Sequence, residues 1–162
     1  AALQRESARI AAILRAAAAA ARRSGRSPSF SSGRLLQPVQ GRLSSTFGMR
    51  FDPVYHVWRL HAGVDFAAPR GTPIFAAASG VVINAGWAGG YGNYTCISHG
   101  TYHGQGLATC YGHQSAILVH AGQGVSRGQL IGRVGTTGDS TGNHLHFEVR
   151  LDGRPVNPLP WL

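Results

Sequence analysis

The sequence predicts an all-β, glycine-rich antiparallel domain, a sheet or a sandwich, preceded by one N-terminal α-helix. Three observations carry that expectation. From residue 35 onward, runs of four to eight apolar and β-branched residues recur and are broken by glycine, of which the 162-residue chain has 23. Helical periodicity is nearly absent after residue 24. Residues 1–23, by contrast, are rich in Ala, Leu, Ile and Arg and contain neither Gly nor Pro, the composition of a helix.

The organisation follows from these signals, with a helix over 1–23, a linker over 24–34 and the main domain over 35–162. Leu3, Ile10 and Ala17 recur at intervals of seven, as do Glu6, Ile13 and Ala20, a short heptad pattern that suits the end of a longer helical hairpin or a helix packed on its own domain. Ser24-Gly25 stops the helix, and the Ser, Gly and Pro residues that follow predict a flexible linker. Leu35 to Thr46 is expected to enter the domain as an edge strand. Phe47 to Leu60 shows no clear period and reads as a loop, placed to line one wall of whatever site His61 belongs to. Strands are predicted at Ile74–Ala78, Gly80–Ala85, Asn93–His99, Leu107–Tyr111, Ala116–His120, Gln129–Val134 and His144–Leu151.

Composition excludes several classes. No apolar run approaches the roughly 18 residues of a membrane-spanning helix. The chain begins without Met, and Arg15 interrupts its N-terminal apolar stretch, so no signal peptide is read and a mature or excised form is expected. Every basic residue is Arg. Val125–Val134 has the look of a carrier-domain hairpin, but a chain without lysine cannot be a lipoyl or biotinyl carrier. Eight of the fifteen arginines lie in residues 1–42 against Glu6 alone, giving that segment +7 of the total +9. Nucleic acid is a poor fit, since these arginines sit on a helix and linker without interleaved aromatics. Anionic polymers of a cell envelope, a lipid surface or simple solvation suit them better.

Cys96 and Cys110 lie in two strands joined by the glycine-rich stretch Gly100–Gly106. If the strands pair antiparallel with His99 opposite Leu107, Cys96 faces Cys110, and a bridge is expected in preference to two buried thiols. Such a bridge implies an oxidising, extracytoplasmic compartment.

The chemistry is concentrated in three places. In Asn143-His144-Leu145-His146-Phe147-Glu148-Val149-Arg150 the residues alternate, so His144 and His146 share one face of a strand while Leu145, Phe147 and Val149 share the other. In His61-Ala62-Gly63-Val64-Asp65 the even spacing puts an imidazole and a carboxylate on one face. Tyr111-Gly112-His113 closes a further strand. Imidazole and carboxylate are zinc ligands, and a catalytic zinc site keeps three of them with a position open to water. His61 and Asp65 with His146 meet that requirement, but the residues alone leave His144 as an equal candidate. Glu148, on the face of His146, either orients that imidazole or sits as a rim carboxylate in water. His99 reads as structural at a strand end, and His56, His103 and His120 read as solvated.

These segments resemble, in order and spacing, the three signature motifs of the lysostaphin/LytM-type zinc endopeptidases that cut peptide bonds in bacterial peptidoglycan. The likeness extends from about Gln37 to Trp161 and includes Phe47-Gly48-x-Arg50, the glycine-flanked run Gly128–Gly132 and Ser140-Thr141-Gly142. The resemblance implies one zinc ion per chain held by His61, Asp65 and His146. It assigns His113 and His144 to the catalytic proton and the developing oxyanion, and it implies a stem or cross-bridge peptide of peptidoglycan as substrate. It also admits an alternative, a module of the same fold that binds wall and activates a separate amidase through its helix. The helix and linker hold no candidate site residue, so a chain beginning near Leu35 is expected to be at least as active.

Overall fold

The computed structural model describes residues 2–25, 28–30, 34–52 and 55–162. Among the described residues one α-helix, α1 (Ala2–Arg23), precedes thirteen strands: β1 (Arg42–Ser45), β2 (Gly48–Asp52), β3 (Val57–His61), β4 (Val64–Ala67), β5 (Pro73–Phe75), β6 (Gly80–Trp87), β7 (Asn93–Tyr102), β8 (Gln105–Gln114), β9 (Ala116–Ile117), β10 (Gly124–Val125), β11 (Leu130–Arg133), β12 (His144–Leu151) and β13 (Arg154–Val156). The main sheet runs β1-β4-β12-β8-β7-β6-β10, with β13 added beside β12. All its pairings are antiparallel. A three-stranded sheet, β5-β11-β9, and the ladder β2-β3 complete the β structure. The all-β expectation holds, and β10 and β13 are strands too short for their sequence to have announced.

Alternation along the central strands separates two apolar layers. Val64 and Phe66 of β4, Leu107 and Tyr111 of β8, Ile97 of β7 and Leu145, Phe147 and Val149 of β12 join Ile74 and Ile131 in the main core. The opposite face carries a second cluster, in which Tyr94, Cys96, Ala108 and Cys110 meet Ile10 and Leu14 of α1. The helix therefore packs on its own domain. Its C-terminal end carries Arg22 and Arg23, which suit the helix dipole, and Arg22 reaches the Asp152 carboxylate at 3.2 Å. Close seating depends on Gly153, which has φ +82°; a Cβ there would lie 2.3 Å from the Ala11 carbonyl oxygen.

Four sequence expectations change. Phe47–Leu60 is mostly not loop, because β2 and β3 pair from Gly48↔His61 to Asp52↔Val57. Its apolar residues Met49, Phe51, Trp58 and Leu60 share one face and are all exposed, so their alternation with Arg50, Asp52, Arg59 and His61 buries no core. The supposed Gly100–Gly106 loop is mostly strand, closed by the turn residues His103 and Gly104, whose φ values of 49° and 78° match the right-handed twist of the hairpin. His99 lies inside β7 and not at its end. Burial pushes its pKa down to about 4, and the neutral ring hydrogen-bonds the Ser79 carbonyl (2.8 Å) and the Thr109 hydroxyl (2.7 Å). Within the predicted linker, residues 28–30 are held by β7 through Thr101 N to Pro28 O (2.8 Å) and Phe30 N to Thr101 O (2.7 Å). Residues 26, 27 and 31–33 lie outside the described residues.

Cys96 is paired with Cys110 in the β7–β8 register and is disulfide-bonded to it. With a sequence separation of 14, the chain-entropy argument gives the bridge about 3 kcal/mol. Unfolded, unreduced protein should accordingly show no free thiol, and reduction should lower Tm by roughly 6–12 °C in calorimetry.

Candidate metal centre

The site is built on β12 by its two neighbours. His146 is opposite Asp65 of β4 on one side and Gly112 of β8 on the other, and directly opposed residues share a face of the sheet. His144 precedes His146 on that face, opposite Ala67. His61 ends β3 just before β4 and stands 3.3 Å from Asp65, Nε2 to Oδ2. His113 follows Gly112, and strand alternation alone would send it to the main core. Its φ of +59° breaks the alternation. The ring comes to 4.8 Å from that of His144 and 6.0 Å from that of His146, centroid to centroid. All five residues singled out in the sequence thus meet at one place.

Each imidazole is held by one nitrogen so that the other faces the site. A backbone carbonyl can only accept, which fixes the tautomer wherever it is the partner. His61 Nδ1–H donates to Thr46 O (2.8 Å), His113 Nδ1–H to Thr137 O (2.7 Å) and His144 Nδ1–H to Gly142 O (2.8 Å). Those three present Nε2. His146 is reversed: Nε2 is bonded to Glu148 Oε2 at 2.9 Å and Nδ1 lies 3.1 Å from Asp65 Oδ1.

His61, Asp65 and His146 offer one donor atom each within 4.8 Å of one another, a group that could hold a metal ion. Hard carboxylate and borderline imidazole make a donor set that suits zinc. Electrostatics agree. Burial opposes ionisation of Asp65, but hydrogen bonds from His146 and His61 outweigh it and hold the carboxyl well below the usual carboxylate range. Burial likewise disfavours a charged His146, yet its bonds to Asp65 and Glu148 push its pKa up to about 9. The space between Asp65 and His146 Nδ1 therefore favours a positive charge. His144 Nε2 is farther from Asp65, at 3.6 Å from Oδ1.

Glu148 is no rim carboxylate, because it is fully buried. Its Oε1 accepts from Arg150 Nε at 2.8 Å and from the Tyr94 hydroxyl. Burial works against its ionised form, and the Arg150 guanidinium, followed by His146, more than offsets this and holds it ionised. Sequence reasoning missed Tyr91, Tyr94, Thr137 and Arg150. Tyr91 stacks on Tyr94 at 4.4 Å and lies 5.5 Å from the His146 ring. Only Arg150 carried a signal, since it continues the His144, His146, Glu148 face by two residues. Thr137 acts through its backbone carbonyl, Tyr94 through its hydroxyl and Tyr91 through its ring, which no spacing rule marks.

Several known proteins resemble this chain. The chain is 48% identical over 136 residues to a DD-carboxypeptidase/endopeptidase of Neisseria meningitidis serogroup B, covering 78% of this chain and 30% of the relative. It is 46% identical over 119 residues to the peptidoglycan DD-endopeptidase ShyA of Vibrio cholerae, covering 73% and 27%. The chain thus spans less than a third of the length of these two relatives. A zinc-containing peptidase from Vibrio cholerae superposes with a TM-score of 0.72 at 39% identity, over 78% of this chain and 40% of that one. The catalytic domain of lysostaphin from Staphylococcus simulans gives 0.64 at 32%, over 74% and 90%. The sequence model described as Peptidase family M23 matches residues 59–158, which include all five site residues. The chain belongs to Peptidase family M23.

Proposed function

We propose that this chain is the catalytic part of a zinc-dependent endopeptidase that hydrolyses peptide bonds in the stem peptides or cross-bridges of bacterial peptidoglycan. The observation that carries the reading is the convergence of His61, Asp65 and His146 into a trio able to hold a metal, with two further imidazoles beside it. Relatives named DD-endopeptidases favour bonds between D-configured residues as the target. The unit is residues 35–162 together with α1, and its place is extracytoplasmic, where a disulfide persists. Among the described residues no helix is long and apolar enough to cross a membrane. Arg5, Arg15 and Arg23 are exposed on α1 and suit the anionic polymers or lipid of an envelope.

His61, Asp65 and His146 would hold the zinc. When bound, it supplies Lewis-acid activation of water and of the scissile carbonyl at neutral pH. The protein's own contribution is proton handling and charge stabilisation. Burial, with the charge of His146 next, pushes the His113 pKa down to about 4, so its ring is neutral at pH 7. With Nδ1–H tied to Thr137, Nε2 carries the free lone pair and can take a proton. His144, anchored on Gly142, turns its Nε2 toward the same space, where as an imidazolium it would donate that N–H to a developing oxyanion. The β2–β3 ladder runs from His61 and forms one wall of the substrate groove, with Phe51 and Trp58 stacked edge-on at 5.6 Å.

Two predictions test this reading. Elemental analysis should find about one zinc per chain; His146→Ala should lose it and His113→Ala should keep it. Retention of full zinc by His146→Ala would make His144 the third ligand. Secondly, His113→Ala and His144→Ala should stay folded and zinc-loaded yet release new amino termini from cross-linked peptidoglycan some 10²- to 10⁴-fold more slowly than the parent. If the parent leaves a panel of peptidoglycans of known cross-link uncut but stimulates a separate amidase, the chain is an activator and not an endopeptidase.

A further inference from the structure

The reversed orientation of the His146 ring needs an anchor, and the anchor does not end at Glu148. Glu148 Oε2 holds His146 Nε2 at 2.9 Å, while its Oε1 accepts from Arg150 Nε at 2.8 Å. The guanidinium then forks. Nη1 donates to Gly153 O (2.9 Å) and to Ser7 O (3.2 Å), and Nη2 donates to Ser7 Oγ at 2.9 Å. Glu148 and Arg150 are both fully buried. Ser7 lies on α1, 143 residues earlier in the chain. A continuous hydrogen-bonded path therefore runs from the N-terminal helix to a residue of the metal trio.

We propose that α1 is a positioning element of the metal centre, acting through Ser7, Arg150 and Glu148 to hold His146 with Nδ1 toward the metal. The inference rests on the reading that His61, Asp65 and His146 bind zinc. A buried carboxylate can rotate unless its oxygens are held by partners. Ser7 supplies two acceptors to the outer edge of the guanidinium, which fixes the plane of Arg150 and so the direction of its Nε–H. The packing of α1 is built for this contact: Ile10 and Leu14 are buried in the cluster beneath it, and Gly153 allows Ala11 to approach. The expectation that a chain starting near Leu35 is at least as active does not accommodate this path, because such a chain leaves the outer edge of Arg150 without its Ser7 partners.

The test uses the full chain and reads zinc affinity at 25 °C by competition with a chromophoric chelator, with melting of the metal-free protein followed in parallel. Ser7→Ala removes the hydroxyl and keeps the helix. Its zinc Kd should rise about tenfold, the lower end of what loss of an outer-shell partner costs a metal site, and Ser7→Thr should restore it. Arg150→Lys keeps the charge beside Glu148 but cannot fork to Ser7 and Gly153, and should show a similar rise. Parental affinity in Ser7→Ala or in Arg150→Lys would overturn the proposal whatever the melting temperature does. An equal loss in Ser7→Ala and Ser7→Thr would assign the effect to helix packing and overturn it as well. The parallel control is His146→Ala: if it keeps its zinc, the ligand assignment itself has failed, whereas its loss of zinc beside a silent Ser7→Ala overturns the helix inference alone.

Discussion

One pairing register governs the molecule: His146 stands opposite Asp65 of β4 and Gly112 of β8 at the same time. Because side chains alternate with a period of two, a slip of one residue on either edge of β12 would carry Asp65 or Gly112 to the far face and bury the wrong set. The core enforces the register. Leu145 and Phe147 oppose Phe66 and Val64, and all four are buried in the main cluster. The apolar half of each strand thus holds the reactive half in place, and at His113 the left-handed backbone adds what alternation cannot supply.

The face that carries the site is apolar only in part. It holds two ionised carboxylates, Asp65 and Glu148, on either side of one imidazole, and a buried arginine beyond them. Burying such groups is costly unless every one is paired, and the net gain in stability from a buried ion pair is small. What the arrangement secures is orientation. Tyr94, Arg150 and His146 share the two oxygens of Glu148, so no single-bond rotation of that carboxylate leaves its partners satisfied.

Much of this was legible in the sequence. Alternation over residues 144–150 identified the faces of β12, since spacing on a strand is geometry, whereas His61 and Asp65 meet across the break at Ala62-Gly63, from the end of β3 to β4, and not as two residues of one strand. The Cys96–Cys110 pairing was legible for the same reason, although His99 opposite Leu107 was not, because the register shifts between Ser98 and Thr101. The β2–β3 ladder escaped although Met49, Phe51, Trp58 and Leu60 alternate with polar residues, because each strand is only 5 residues long and its apolar face stays exposed. Glu148 was ambiguous: the sequence shows which face it shares but not what covers that face. Its partners are Tyr94 and Arg150, with Ser7 of α1 beyond the guanidinium, which no local pattern in β12 could disclose. The anchoring roles of Thr46, Thr137 and Gly142 rest on backbone carbonyls, which every residue has.

The disulfide lies in the same apolar cluster as Ile10 and Leu14, with both cysteines fully buried. Thiol–disulfide exchange needs an attacking thiolate to reach a sulfur atom, and access is part of its rate. A reductant in solution can therefore attack this bridge only during excursions in which α1 lifts from the sheet. The bond is shielded kinetically by the helix as well as held by its own thermodynamics. Its rate of reduction under native conditions is a clock for how often that helix leaves its seat.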